Sequence, residues 1–273
     1  MANCKVYAIA NQKGGVGKTT TVLNLGIGLS QLGKKVLLID ADPQGDLTTC
    51  MGYHEQDFDK TISTLMKSSI SKQTLDFENT ILHHEENVDL IPSNLELSEV
   101  ALSLVNVTFR ENKMKHWVEQ LREQYDYILI DCQPSLEMMP INALACADKV
   151  IIPVQAQYLA AKDTGSLLRT IHNVKDEINP NLDIESILLT MVDKRTTLSA
   201  EIRYAIQESY GSHVKISNIQ IPQAVKVAKS TIQGKSIFAY DKNNKVAEAY
   251  LQFAREIDTN GKERKQNSPS RCR

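Results

Sequence analysis

Asn11-Gln12-Lys13-Gly14-Gly15-Val16-Gly17-Lys18-Thr19-Thr20 follows a short strand-like run over 5–10 and opens helical periodicity over 18–32, which stops at Gly33. Each residue type here has a physical task. Glycines let backbone N–H groups turn inward around phosphate oxygens, because no Cβ blocks the approach. A helix beginning near Lys18 points the positive end of its dipole at the same anion. Lys18 has the reach to bind the β- and γ-phosphates of a nucleotide, and the Thr19 hydroxyl can ligate Mg²⁺. Gly14, Gly15, Val16, Gly17 and Thr20 complete the cradle. A phosphate loop of this kind needs a strand behind it and a helix in front, and both are present.

The rest of the chain continues that alternation. Apolar strands are expected at 36–39, 127–130, 150–154 and 184–192, with a strand or hairpin over 81–91 that bends near Asn87. Helical patterns fall at 95–105, 114–124, 159–178, 198–210 and 246–257. Buried apolar strands separated by helices predict an α/β fold of three layers, a mainly parallel twisted sheet between helices. Residues 1–258 are expected to form one domain, with no repeat and no Gly/Ser linker. From Thr259 the sequence turns polar and basic, so 259–273 is expected to be a disordered tail.

Three carboxylates stand at the ends of expected strands, where ligands bind in open α/β sheets: Asp40 and Asp42 after the second strand, and Asp131 after 127–130. Other classes of protein drop out. No run approaches the roughly 18 apolar residues needed to cross a bilayer, and the first residues lack the pattern of a secretory signal. Five scattered cysteines, none in C-x-x-C spacing, exclude a disulfide framework or zinc finger and fit a reducing cytosol. Cys132 reads as a small buried residue, Trp117 as helix packing, and His83-His84 as strand or loop surface.

The loop departs from the plain pattern G-x-x-x-x-G-K-[ST], since Gln12 stands where the first glycine would be. Lys13-Gly14-Gly15-Val16-Gly17-Lys18-Thr19 instead resembles the deviant Walker A loop, K-G-G-x-G-K-[ST], and the full run 11–20 closely resembles the ParA/Soj-type partition ATPases. The similarity continues through Leu37-Leu38-Ile39-Asp40-Ala41-Asp42-Pro43-Gln44-Gly45, Tyr127-Ile128-Leu129-Ile130-Asp131, Ile152-Pro153-Val154-Gln155, Thr190-Met191-Val192-Asp193 and Ile221-Pro222. It implies a P-loop NTPase fold and Mg²⁺-dependent hydrolysis of ATP. Lys13 matches the signature lysine, which in the family crosses a dimer interface to the partner's phosphates; a cation supplied in trans is worth about 10³–10⁵ in rate. Gly14 and Gly15 would then be small to admit a second backbone. Asp131 matches the Walker B acid that holds Mg²⁺ through water, and Asp42 the residue that positions the attacking water. Asp40 is given a supporting role, in the second shell of Mg²⁺ or in loop hydrogen bonding. After Asp131 the family often has Cys-Pro-Pro-Ser, whereas this chain has Cys132-Gln133-Pro134-Ser135 and loses one proline.

The resemblance implies a homodimer formed on ATP, non-specific DNA binding, a ParB-like centromere-binding partner that stimulates hydrolysis, and a cytoplasmic, nucleoid-associated protein that drives plasmid or chromosome partition. A MinD-like ATPase that positions another assembly without DNA is the alternative, but it needs an amphipathic C-terminal helix, and 259–273 contains no Leu, Ile, Val, Phe, Trp or Met. No membrane attachment is expected. A cluster reductase would need bridging cysteines beyond Cys132, and a scaffold without turnover would lack Lys13 or Asp42. With no helix-turn-helix ahead of the first strand, operator binding by such a unit is not expected.

Charge is uneven although it sums to −2: residues 262–273 carry +4, and no acid occurs between Glu208 and Asp241. Within that stretch Ile221-Pro222-Gln223-Ala224-Val225-Lys226-Val227-Ala228-Lys229 resembles a family segment reading Ile-Pro-Arg-x-Val-Arg-Leu-Ser-Glu. Lys226 and Lys229 would share a helix face. With Lys194 and Arg195 they form the expected DNA-binding patch, with no acid nearby in sequence to neutralise the two helix lysines.

Overall fold

Alternate residues of the first strand, β1 (Lys5–Ile9), point to opposite faces, and both faces are apolar: Val6 and Ala8 enter one buried cluster, Tyr7 and Ile9 another. The strand must therefore be covered twice, and the computed structural model shows how. It describes the chain except residues 1–3, 157–159, 194 and 267–273, and except the side chains of 160–163, 198 and 260–266.

In chain order the elements are α1 (Lys18–Gln31), β2 (Val36–Ala41), α2 (Asp46–Cys50), α3 (Ile62–Ser71), β3 (Leu82–His84), β4 (Val88–Ile91), α4 (Glu96–Ser103) and α5 (Lys113–Leu121). They continue through β5 (Tyr127–Cys132), α6 (Met138–Cys146), β6 (Lys149–Gln155), α7 (Ala160–Glu177), β7 (Asp183–Val192), α8 (Thr197–Tyr210), β8 (Ile216–Pro222), α9 (Val225–Ile232), α10 (Ile237–Tyr240) and α11 (Lys245–Gln266). Among the described residues eight strands make one sheet in the order β3-β4-β2-β5-β1-β6-β7-β8. Only β3 runs antiparallel to its neighbour, forming the expected hairpin with β4 through Asn87 at φ 58°. The chain leaves β1 toward one half of the sheet and fills the other half only from β6 onward, so the end of β1 lies at the point where ligands bind in such sheets.

Helices α3 to α8 cover one face around Trp117, which is fully buried on α5. Helices α1, α10 and α11 cover the other. There α1 and α11 approach closely: a Cβ on Gly28 would stand 3.1 Å from the Cβ of Ala254. The Thr21 and Tyr250 hydroxyls tie the same pair at 3.2 Å, and Asp258 holds the far end through Lys34 (2.9 Å) and Tyr127 (2.9 Å). Helix α11 does not stop near residue 257 but runs to Gln266, past Thr259, where the sequence pattern puts the start of the polar tail. Glu263, Arg264, Lys265 and Gln266 are good helix formers, and a helix already anchored on α1 extends without a new nucleation step.

Candidate functional site

The loop between β1 and α1 takes the shape its glycines permit. Gly15 (φ 72°) and Gly17 (φ 86°) both lie in the left-handed region. Gly17 is also the residue that caps α1, and it offers no side-chain cap to the first N–H groups of that helix. Free N–H groups at the positive end of a helix dipole form an anion site. Gly14 and Gly15 are exposed, with nothing within 4 Å of where a Cβ would stand, so the loop's outer surface is open to an approaching group.

Lys18 is buried, and its ammonium donates to the Lys13 carbonyl at 3.2 Å. Burial lowers its pKa, opposed by the charges of Asp131 first and then of Asp42 and Asp46. These groups therefore converge on one place. Asp131, from the end of β5, is pushed well above the usual carboxylate range, first by burial and then by Asp40, with Thr19 and Lys18 acting against the rise. Neither Asp131 oxygen makes a hydrogen bond of ordinary geometry, Thr19 included. A buried carboxylate in that state calls for a cation or a bound water. With Thr19 at the head of α1 beside it, the donor set fits Mg²⁺, which retains several waters and is shared with substrate phosphates. Among the described residues no cluster of three or more His, Cys, Asp or Glu forms a metal cage of protein groups alone.

Asp40 and Asp42 divide differently from Asp131. Asp40 is fully buried and pushed up to about 7 by that burial. Its Oδ2 accepts from the Thr48 N–H (2.9 Å) and hydroxyl (2.7 Å), and its Oδ1 from the Asp42 N–H (3.2 Å). Thr48 in turn accepts from the Ser93 N–H at 3.1 Å. Of the two supporting roles expected for Asp40, loop hydrogen bonding is the one these contacts display. Asp42 is half-buried and raised, by burial first; its Oδ1 accepts from the Gln44 N–H at 2.9 Å, a turn contact that leaves Oδ2 for other partners. Cys132 and Cys50 are thiols pushed up by burial, Cys50 to about 12. That keeps them protonated and unreactive.

Residue type and order assign no role to Asn11, Thr48, Ser93 or Thr190, although all four touch this site. Asn11 and Thr190 lie inside the family-like motifs, so position beside the loop is the available signal; Thr48 and Ser93 give none, because their role depends on where β4 pairs with β2.

The charge expected around Lys226 and Arg195 needs correction. Lys226 and Lys229 do lie exposed on α9, but Lys226 is not free of acid: Asp241 pairs with it at 2.7 Å. Helix α10 turns the chain back and brings that acid 15 residues along the sequence to the lysine. Arg195 is likewise held by Asp193, through Nε (2.9 Å) and Nη2 (2.8 Å), so a second cation of the patch carries its own counter-ion. Lys194 lies outside the described residues. Exposed on the same helix as Lys229 are Val225 and Ile232.

Comparison with known proteins places this geometry. A family model described as an AAA domain matches residues 4–184. The sporulation initiation inhibitor protein Soj of Bacillus subtilis is 38% identical over 257 residues, covering 94% of this chain and 99% of that protein. The chromosome partitioning protein ParA of Caulobacter vibrioides is 36% identical over 262 residues, 95% of this chain and 96% of that one. Among solved structures, cobyrinic acid a,c-diamide synthase from Mycobacterium smegmatis, with a bound ATP analogue and magnesium, superposes with a TM-score of 0.81 at 31% identity, covering 93% of this chain and 94% of the other.

Proposed function

This chain belongs to the ParA/Soj-type ATPases of the MinD/ParA superfamily, and on that premise we propose that it is a partition switch: it dimerises on ATP, binds DNA without regard to sequence, and releases it when a ParB-like centromere-binding protein stimulates hydrolysis. The observation that carries the reading is the site itself, with a glycine-capped α1, a buried Lys18 and an Asp131 whose oxygens make no hydrogen bond of ordinary geometry. ATP and Mg²⁺ suit that arrangement. Mg²⁺ bound by Thr19 and, through water, by Asp131 would offset the negative charge of the phosphates.

Each residue then has a task. The loop N–H groups and the start of α1 bind the phosphates, and Lys18 neutralises charge as the terminal phosphoryl group departs. Asp42 orients the attacking water. Lys13 supplies a cation to the phosphates of the partner subunit, which is why hydrolysis requires a dimer. The cargo is a plasmid or chromosome, and the protein works in the cytoplasm on the nucleoid.

The test is turnover of ATP with Mg²⁺. Lys18→Ala should lose nucleotide binding, whereas Asp42→Ala should bind ATP without hydrolysing it and accumulate as a dimer in sedimentation. Normal turnover by Asp42→Ala would remove it from the water-positioning role.

A further inference from the structure

Where β1 ends, its pairing with β6 is completed by a side chain. The Ala10 N–H donates to the Ile151 carbonyl at 3.1 Å, the last backbone rung between the two strands' ends. In a parallel ladder the next rung would run from the residue-153 N–H to the Ala10 carbonyl, but Pro153 has no N–H; the rung after it would join residue 12 to the Pro153 carbonyl. The Asn11 side chain takes that later rung instead, donating from Nδ2 to the Pro153 carbonyl at 2.8 Å. The backbone is thereby released from the sheet one residue early. The other end of the same carboxamide, Oδ1, accepts from the Lys13 N–H at 3.0 Å. Since the Lys13 carbonyl is held by Lys18, both polar main-chain groups of Lys13 are fixed.

The far side of the loop is fixed as well. Thr190, near the end of β7, donates its hydroxyl to the Val16 carbonyl at 2.8 Å. A trans peptide points its C=O and N–H in opposite directions, so holding the Val16 carbonyl toward β7 aims the Gly17 N–H away from it, into the loop. Thr190 also lines Gly17: its Cβ and Cγ2, with the Cε of Met191, would lie 3.8 Å from a Cβ there. Met191 itself has φ 52°, a strained conformation for a non-glycine residue, just where β7 meets the loop. Asn11 and Thr190 are only 4% and 2% exposed, and their bonds to the Pro153 and Val16 carbonyls are buried.

We propose that Asn11 and Thr190 are positioning residues for the nucleotide loop. Asn11 pins the main chain of Lys13 to β6, Thr190 pins the Val16–Gly17 peptide to β7, and the loop keeps its phosphate-binding shape before nucleotide arrives. A glycine-rich loop without such pins would lose much more conformational freedom on binding. The inference rests on reading the loop as an ATP site.

The experiment measures ADP binding with Mg²⁺ and steady-state ATP turnover for the full chain and for Thr190→Val, Thr190→Ser and Asn11→Ala. Valine keeps the shape of threonine and removes only the donor, so ADP affinity should fall about fivefold to tenfold and KM should rise with it, on the scale of one neutral hydrogen bond. At saturating ATP, Thr190→Val should keep a kcat close to that of the parent. Serine restores the donor and should return affinity to within about twofold of the parent. Asn11→Ala frees the main chain of Lys13 and should lower kcat about tenfold or more in a protein with unchanged circular dichroism. A parent that binds ADP while Thr190→Val binds equally tightly, or while serine is no better than valine, would overturn the role of Thr190. A full kcat in Asn11→Ala would overturn that of Asn11. A parent that binds no ADP would overturn the nucleotide site and this proposal with it.

Discussion

Both oxygens of Asp131 are buried without a hydrogen bond, beside a second buried carboxylate, Asp40, and a buried ammonium, Lys18. Asp40 has three donors from its own loop; Asp131 has none of ordinary geometry. An unpartnered buried carboxylate opposes folding, and such groups persist where function needs them. Asp131→Asn keeps the volume and removes the charge. The nucleotide-free variant should therefore be more stable than the parent by roughly 1–3 kcal/mol, visible as a rise of a few degrees in the thermal midpoint. The same variant should lose Mg²⁺-dependent turnover. A lower midpoint for Asp131→Asn would show that the carboxylate stabilises the fold and is not held there for the ion.

Among the elements, α2 and α9 meet through two glycines. A Cβ on Gly234 would fall 2.4 Å from the Cα of Gly52, and both residues have positive φ (61° and 82°). The turn after α2 and the turn after α9 thus touch backbone to backbone: Gly234 has no room for a side chain, and one at Gly52 would meet the Gly234 carbonyl oxygen at 3.2 Å. Gly234→Ala should cost about 2–4 kcal/mol by overpacking and by backbone strain together, measured in urea, whereas Ala at Gly33, which has positive φ but open space, should cost only the strain. Equal losses at the two positions would mean that the contact with Gly52 does not constrain the fold. Helix α2 was not legible as an element, and α9 only through the helix face that Lys226 and Lys229 would share. The long strands and helices were legible, because apolar residues recur in them at periods of 2 and 3.6. Helix α2 has five residues, too few to show a period; α6, Met138–Cys146, is buried on nearly every side and shows no polar face. Strand β8 alternates poorly, since its pairing with β7 shifts register twice. The site was legible for the opposite reason. Glycines, Lys18, Thr19 and the strand-end aspartates carry their chemistry in residue type and order. The residues that hold them, Asn11, Thr48 and Thr190, act across sequence separations that only the sheet closes.

At the scale of the whole molecule, the question is how a chain of net charge −2 would hold a polyanion. The proposed answer is local charge on α9, doubled when ATP brings two subunits together. The ion pairs change what mutation should do there. Lys226 is partnered by Asp241, whose carboxyl is lowered by that lysine first, whereas among the described residues no such pair is seen for Lys229. An exposed ion pair is weak and screened by solvent, so DNA phosphate can displace Asp241, but the acid still competes and repels. Lys229→Ala should therefore weaken binding to all sequences alike and lower the salt slope by about 0.9, the share of a single neutralised phosphate. Lys226→Ala should have a smaller effect. Asp241→Asn removes the competing charge while leaving Lys226 in place, so it should tighten binding in the presence of ATP, most clearly at low salt where charges on the surface are least screened. Binding isotherms on two unrelated duplexes across a salt titration separate these cases. If Asp241→Asn binds DNA no better than the parent and Lys229→Ala no worse, α9 does not touch the phosphate backbone.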